Sequence, residues 1–352
     1  MGLKILHSAD WHMGAPFSSF SEDRRAALKR EQLALPGKIA AVCRQENCDL
    51  MLLAGDLFDG KPGQEALEAV KQALADCGIP VFVSPGNHDH CQPGSVWLEE
   101  SWPENVCIFT GDMASVGIPA LDCRIYGAGY RSMDCGPLLE NFHAEGPETH
   151  QLAVLHGDPI TMRSPYCPIT SAQVRASGLR YLALGHIHKA GMFRAGETVC
   201  AWPGCPMGRG WDETGEKGLC ITTIEGDGVQ VRLVPLDVPR FFELEADITE
   251  GGEAVLDALL PAGESRDFFR ITLTGQTDED VEELRQRYDR FPNLFLRDET
   301  RAKKDLWEDA DSDSLRGVYF RLLRQRAQED SRAVLAAEIS QRILSGREVR
   351  LP

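Results

Sequence analysis

The stretch Leu3–His12, LKILHSADWH, decides the fold, because an apolar run there ends in the polar motif Asp10-Trp11-His12. Four later apolar runs also end in residues whose side chains bind metals. These motifs are Gly55-Asp56, Gly86-Asn87-His88-Asp89, His156-Gly157 and Gly185-His186-Ile187-His188. In an open layer of strands and helices, the loops at the carboxyl ends of the strands converge on one crevice. The motifs therefore predict a single site assembled from five strand ends.

Short apolar runs alternate with helical patterns from residue 3 to about residue 200, which predicts an α/β fold. The predicted strands are Leu3–Leu6, Leu50–Ala54, Val81–Val83, Val106–Phe109, Leu152–Leu155 and Tyr181–Leu184. The predicted helices are Glu22–Gln45, with a break near Pro36, and Gln64–Cys77. Residues 218–235 form two alternating runs around Gly226-Asp227-Gly228, a pattern typical of a hairpin.

The composition changes near Pro239, and three regions are predicted: a metal-binding domain at 1–238, a small domain at 239–300 and a helical region at 301–352. Residues 241–298 alternate strand and helix, which indicates a compact α+β unit. An acidic linker, Glu308–Asp313, leads into the last region. There Leu315, Val318, Tyr319, Leu322 and Leu323 recur at helical spacing.

The net charge of −17 counts against a protein that coats itself with nucleic acid, since such proteins carry a basic surface. No N-terminal signal pattern and no unbroken apolar stretch of about 18 residues is present, so we expect no membrane association. The eleven cysteines are an odd number without a Cys-x-x-Cys pair, which favours free thiols in a reducing cytoplasm.

The donor types indicate the metals and the chemistry. Imidazole, carboxylate and one amide oxygen, without thiolate, suit manganese, iron or zinc rather than a structural zinc site. Asp56 is the natural bridging carboxylate, and it would hold two metals about 3.5–4 Å apart. A hydroxide between them would attack phosphorus. His88 follows the ligand Asn87 and is the candidate to protonate the leaving oxygen; the alternative is that it only orients a ligand.

The motif series resembles that of the calcineurin-like metallophosphoesterases. Residues 7–14, 55–59 and 185–189, which read HSADWHMG, GDLFD and GHIHK, are similar to those of SbcD-type DNA repair exonucleases. The resemblance implies a four-layer αββα sandwich, two divalent ions and manganese as the usual activating ion. It places Asp10, His12, Asp56 and His188 on one metal, and Asp56, Asn87, His156 and His186 on the other. His88 would assist the transition state.

The resemblance covers residues 3–236 well, whereas the remainder resembles the family only in the order of its domains. Some positions within the first region differ from the family pattern. Cys205 stands where the family often has the serine of Gly-Ser-Pro. The stretches Gly208-Arg209-Gly210 and Glu213–Gly218 look more like a YhaO-like subgroup. Arg209 is a candidate phosphate contact, and an ordinary surface arginine is an equal alternative.

Domain layout extends the resemblance to partners. The small domain is similar in position to the domain that guides DNA in SbcD-type nucleases, whose terminal helices bind the coiled-coil base of the ATPase SbcC. The 315–323 stripe would serve that role, pack on its own domain or pair with a second copy of the chain. The leading hypothesis is a manganese-dependent phosphodiesterase that processes DNA ends as an exonuclease or endonuclease. The alternatives are a phosphoesterase for nucleotides or other small phosphates and a degenerate, inactive scaffold.

Overall fold

The computed structural model describes residues 2–302 and 306–344, which divide into two compact units at Arg240 and Phe241. The strands of the first unit are β1 Leu3–Ser8, β2 Leu50–Leu53, β3 Val81–Val83, β4 Val106–Ile108, β5 Ala114–Ile118, β6 Cys123–Gly127, β7 His150–His156, β8 Tyr181–Gly185, β9 Gly191–Ala195, β10 Thr198–Trp202, β11 Gly218–Glu225 and β12 Gly228–Pro235. Its helices are α1 Glu22–Gln45, α2 Gln64–Asp76, α3 Val96–Glu99 and α4 Ser171–Ala176, with a 3₁₀ turn at Pro119–Leu121.

These strands form two six-stranded sheets, in the orders β12-β11-β1-β2-β3-β4 and β5-β6-β7-β8-β10-β9. Strands β1 to β4 are mutually parallel, as are β6, β7, β8 and β10. Strand β11 pairs antiparallel with β1 and β12, β5 pairs antiparallel with β6, and β9 pairs antiparallel with β10. The predicted hairpin is confirmed, since β11 pairs with β12 from Gly218↔Pro235 to Glu225↔Gly228.

The core between the two sheets explains why the strands read as apolar runs. Ile5, Leu52 and Phe82 from the first sheet belong to one buried cluster with Ile125 and Val154 from the second. A second cluster covers the other face of the second sheet and includes Val174 of α4. Sheets buried on both faces need helices outside them. The predicted α/β sandwich with flanking helices is therefore confirmed.

Helix α1 runs through Pro36 without ending, so the predicted break there is wrong. Proline removes one backbone hydrogen bond and crowds the preceding turn, which costs about 3 kcal/mol in a helix interior. Pro36 is itself buried, and so are its neighbours Leu35, Ile39 and Ala40 on the same helix. Burial of this apolar face offsets the lost hydrogen bond.

The second unit begins with a parallel three-stranded sheet in the order β13-β14-β15, namely β13 Phe241–Asp247, β14 Phe268–Thr274 and β15 Leu294–Asp298. Helices α5 Gly252–Leu259 and α6 Val281–Arg287 connect these strands. Parallel neighbours require such crossovers. Ile271, Leu273, Leu256 and Leu284 share one buried core, so the alternation of strand and helix predicted for 241–298 is present.

Two helices end the described part of the second unit, α7 Leu315–Arg326 and α8 Arg332–Leu344, after a 3₁₀ turn at Glu308–Asp311. Phe320 of α7, Ala337 of α8 and Ala310 form a small buried cluster, and Leu323 packs against it. Within the described ranges, no helix is both long and apolar enough to cross a bilayer.

Candidate metal centre

Strand order brings the predicted ligands together. β1 and β2 are neighbours in the first sheet, β7 and β8 are neighbours in the second, and all four end at the same edge of the sandwich. The backbone N–H of Asp10 donates to Gly55 O (3.0 Å), and that of His12 donates to Asp56 O (2.9 Å). The loops after β1 and β2 therefore run side by side, which places their carboxylates and imidazole at one point.

Four of the seven predicted ligands have a left-handed backbone: Asp10 (φ 54°), His12 (φ 47°), Asp56 (φ 52°) and His186 (φ 88°). This region is sparsely populated by residues other than glycine and costs free energy at each position. Each of these residues lies in a loop that follows a strand. Stored backbone strain at several adjacent positions is typical of a functional site.

Gly86 shows how closely the loops approach. A Cβ atom at this position would meet both the backbone N and the Oδ1 atom of Asp56. Asp89 holds the two loops together, because its carboxylate accepts hydrogen bonds from Gly86 N (2.8 Å), Leu57 N (2.8 Å) and Phe58 N (3.2 Å). The loop after β3 is thereby tied to the loop after β2.

Asp56 lies at the centre of the cluster. Its Oδ2 atom is 3.4 Å from Nε2 of His156 and 3.8 Å from Nε2 of His12. Burial alone would raise the pKa of Asp56, but the facing imidazoles of His156 and His12 outweigh it, and the pKa is lowered. The carboxylate is therefore ionised, and it lies between the donors of both predicted metal sites.

The second predicted set surrounds His156. Its Nδ1–H donates to Ala54 O (2.9 Å), which leaves the Nε2 lone pair directed at Asn87 Oδ1 (2.9 Å) and Asp56. The ring of His186 lies 5.2 Å from that of His156, between centroids. Backbone N–H of His186 donates to both carboxylate oxygens of Asp10 (2.9 and 3.1 Å). The structure thus brings all seven predicted ligands into one cluster.

The donors fit divalent ions. Ligand atoms of Asp10, His12 and His188 lie within 4.8 Å of one another, and so do those of Asp10, Asp56 and His156. Nε2 atoms of His12 and His188 are only 3.2 Å apart. The imidazole lone pairs and the buried carboxylates of Asp10 and Asp56 repel one another at these distances. A positive ion between them would remove this repulsion. Oxygen and imidazole donors are the ligands of such ions.

His88 differs from the other histidines of the cluster, since its side chain is 41% exposed. Its Nδ1 atom lies 3.0 Å from Oδ1 of Asp59, and its backbone N–H donates to Oδ1 of Asp56 (2.9 Å). The His88 and Asp59 pair therefore stands at the rim of the cluster. Asp59, whose pKa is lowered to about 2 by its contact with His12 despite partial burial, lies beside the predicted ligands and was not among the predicted site residues. Its position in Gly55–Asp59 is a signal that could have found it.

The side chain of Arg209 is held by hydrogen bonds to Glu213 of the same chain. Its backbone N–H donates to Oε2 of Glu213 (2.7 Å) and its Nη2 to Oε1 of Glu213 (2.7 Å). Oε1 of Glu213 also lies 2.7 Å from Nδ1 of His188. Cys205 lies beneath His188 with its Sγ atom 3.6 Å from His188 O, and burial raises its pKa to about 12, so it is a neutral thiol. A phosphate contact of Arg209 stays a prediction.

The fold and the cluster are typical of a metal-dependent phosphoesterase, and the sequence comparison agrees. The family described as calcineurin-like phosphoesterase matches residues 3–190, more than half of the chain. The chain belongs to the calcineurin-like phosphoesterase family, as predicted. Members of this family depend on two metal ions, for which the cluster around Asp56 supplies candidate ligands.

Two curated relatives are similar at the sequence level. The uncharacterized metallophosphoesterase YhaO of Bacillus subtilis strain 168 is 31% identical over 265 residues, which are 70% of this chain and 64% of that protein. The SbcD component of the nuclease SbcCD from Staphylococcus saprophyticus is 31% identical over 107 residues, 28% of this chain and 27% of that protein. The chain therefore matches less than two thirds of the length of either relative.

Among solved structures, a dimetal phosphatase from Danio rerio is similar over 66% of this chain and 96% of that protein, with 13% identity and a TM-score of 0.45.

Proposed function

We propose that the chain is a manganese-dependent phosphodiesterase that processes DNA ends, as an exonuclease or endonuclease. The observation that carries the proposal is the cluster around Asp56 together with the His88 and Asp59 pair at its rim. Asp10, His12, Asp56 and His188 would hold one ion, and Asp56, Asn87, His156 and His186 the other. Two bound divalent ions supply Lewis acidity and an activated water for attack on phosphorus.

Residues beside the proposed ions would protonate the leaving oxygen and position the proton donor. The exposed ring of His88 can reach a substrate that lies across the cluster. Asp59 accepts a hydrogen bond from Nδ1–H of His88, so the doubly protonated ring can give its Nε2 proton to the leaving oxygen. Asp89 and Gly86 hold the loop of His88 against Asp56 so that this proton is delivered at a fixed place.

DNA as the substrate is supported by the similarity to one component of a nuclease and by the second unit that follows the metal-binding domain. The net charge of −17 opposes tight unaided binding to DNA, so the bound ions would supply the local positive charge. A phosphoesterase for nucleotides or other small phosphates is the second candidate, and this acidity favours it.

Cleavage assays with manganese separate the two candidates. End-labelled duplex DNA, single-stranded DNA and bis-p-nitrophenyl phosphate are compared at low salt, with the His88→Ala variant as the control for contaminating nucleases. The proposal expects cleavage of at least one DNA that is lost in the variant. Cleavage of the small diester without either DNA would contradict it and favour the second candidate.

A partner surface is proposed on helix α7. Leu315, Val318, Tyr319 and Leu322 occupy one face at helical spacing and are exposed by 88, 44, 43 and 62%. Leu323, which the sequence places in the same stripe, instead packs on the buried cluster of Phe320. An exposed apolar face of this length fits an apolar helix of a partner. By the resemblance to SbcD-type nucleases, that helix belongs to a coiled-coil ATPase.

Light scattering and binding assays test this surface. The wild type should bind a coiled-coil fragment of an ATPase encoded beside its own gene, and Leu322→Glu should abolish binding while DNA or diester cleavage is retained. A wild type that forms a dimer which Leu322→Glu converts to a monomer would assign the surface to a second copy instead.

The cytoplasm is the proposed location. All eleven cysteines are free thiols, which supports a reducing compartment.

A further inference from the structure

Glu213 is a buried carboxylate, 5% exposed, on the loop between β10 and β11. A buried acid is costly unless it is paired, so its partners indicate its role. The guanidinium of Arg209 faces it, with Nη2 2.7 Å from Oε1 of Glu213. The side chain of Glu213 therefore forms a buried ion pair with Arg209.

Both carboxylate oxygens of Glu213 are used. Oε1 accepts from Nη2 of Arg209 (2.7 Å) and lies 2.7 Å from Nδ1 of His188. Oε2 accepts from the backbone N–H of Arg209 (2.7 Å), and Nε of Arg209 lies 3.2 and 3.3 Å from the two oxygens. The guanidinium thus fixes the plane of the carboxylate and offsets its charge.

This arrangement determines which nitrogen of His188 carries the proton. A carboxylate only accepts, so Nδ1 must donate to Glu213 and Nε2 keeps its lone pair. Nη2 of Arg209 also lies 3.1 Å from Nδ1 and would favour the opposite tautomer. The contact with the charged carboxylate is shorter by 0.4 Å (3.1 Å minus 2.7 Å), and it prevails.

Nε2 of His188 is the atom that faces the cluster. It lies 3.2 Å from Nε2 of His12, and the ligand atoms of Asp10, His12 and His188 lie within 4.8 Å of one another. A hydrogen bond from the remote nitrogen orients a ligand imidazole and raises its affinity for the metal. Among the predicted ligands, the Glu213 and Arg209 pair contacts His188.

We propose that Glu213, held by Arg209, is a positioning residue that fixes the tautomer and orientation of His188 for one of the two metal ions. The inference rests on the proposed two-metal function. It predicts that loss of the Glu213 charge weakens one ion and not the other, because among the predicted ligands Glu213 contacts only His188. Outer contacts of this kind change metal affinity by about ten- to a hundredfold.

Calorimetric titration of the metal-free full-length chain with Mn²⁺ tests the proposal. The wild type should bind two ions, and Glu213→Gln should lose about tenfold or more in affinity for one of them. Glu216→Gln is the matched control, since it removes the same charge from the same loop at an exposed position. The control should bind both ions as the wild type does. Glu213→Asp, which keeps the charge on a shorter side chain, should restore part of the lost affinity.

Each outcome decides a separate question. Two ions in the wild type with unchanged affinities in Glu213→Gln would overturn the role of Glu213 and leave the metal centre intact. Equal weakening of both ions would assign Glu213 a structural role and overturn the proposal. A wild type that binds no ion would overturn both the proposal and the proposed function.

A second measurement uses wild-type protein, so it does not depend on whether a variant of Glu213 folds. In ¹⁵N-histidine-labelled, metal-free wild type in alkaline buffer, two-bond proton–nitrogen correlations identify the tautomer of each neutral histidine, and His188→Gln assigns the resonance. The proposal expects the proton of His188 on Nδ1. A proton on Nε2 would overturn it, because the lone pair would then face Arg209 instead of the metal.

Discussion

The Nδ1 atom of His88 lies 3.0 Å from Oδ1 of Asp59, and this pair stands at the solvent-facing rim of a cluster whose other side chains are largely buried. Asp59 also lies 3.8 Å from Nδ1 of His12, one of the predicted ligands. The same carboxylate therefore contacts both a predicted ligand and the exposed histidine that is proposed to meet a substrate. This relationship separates the residues proposed to hold ions from the residue proposed to move a proton.

Replacing His88 with alanine should lower the rate of diester cleavage by about 10²–10⁴-fold, the range typical of a lost general acid. Metal content, measured by mass spectrometry of the purified protein, should stay at the wild-type value because the exposed ring is not a predicted ligand. Loss of metal together with activity would instead make His88 a ligand or a structural residue.

Replacing Asp59 with asparagine should reduce the rate roughly ten- to a hundredfold, since the amide can no longer hold the charge that orients His88. In the double variant with His88→Ala the two losses should not add, because both act through one ring. Asp112→Asn is the control: its side chain is 90% exposed in a surface ion pair, and the rate should not change. Additive losses in the double variant would show that Asp59 acts elsewhere.

Gly86→Ala should destabilise the protein by roughly 1–3 kcal/mol and reduce metal content, because the new Cβ would meet Asp56 at both its backbone and its carboxylate. Gly37→Ala is the matched control, for which the free energy of unfolding should change in the opposite direction. It lies exposed in α1 with open space around it, so alanine should stabilise the helix by roughly 0.5–1 kcal/mol. Chemical denaturation measures both, and a neutral Gly86→Ala would refute the close approach.

His7 predicts a pH dependence of stability. Its ring is fully buried between Tyr181 Oη (2.8 Å) and Leu184 O (3.0 Å), and burial lowers its pKa from 6.5 to about 3. Below pH 6.5 the unfolded chain therefore binds a proton that the native state does not. This lowers the free energy of unfolding by about 1.4 kcal/mol per pH unit until the native pKa is approached.

Denaturant midpoints measured between pH 7 and pH 4 test that dependence in metal-free protein. His7→Gln should remove this part of the slope whatever its effect on absolute stability. Tyr181→Phe removes a hydrogen bond but no titrating group, so its slope should match the wild type. An unchanged slope in His7→Gln would mean that His7 is protonated in the native state.

The sequence predicted which residues cluster because each follows a buried strand, and strand ends in a parallel layer share one edge. It did not predict the contacts of Asp59 and Glu213 with His88 and His188, since the local sequence around an acidic residue in a loop does not indicate which distant histidine it will face. Strands β5, β6, β9 and β10 were also missed; β5 and β9, for example, are sheet-edge strands with several exposed or half-buried residues that leave no continuous apolar run. Helix α1 continued through Pro36 because tertiary burial outweighed a local penalty.

We propose that two ions share Asp56, and anomalous X-ray diffraction from crystals grown with Mn²⁺ shows directly whether they do. Two anomalous peaks are expected about 3.5–4 Å apart on either side of the Asp56 carboxylate. One peak should lie against His12 and His188 and the other against Asn87 and His156. A single peak, or peaks that do not share Asp56, would show that the chain has no metal pair bridged by this carboxylate.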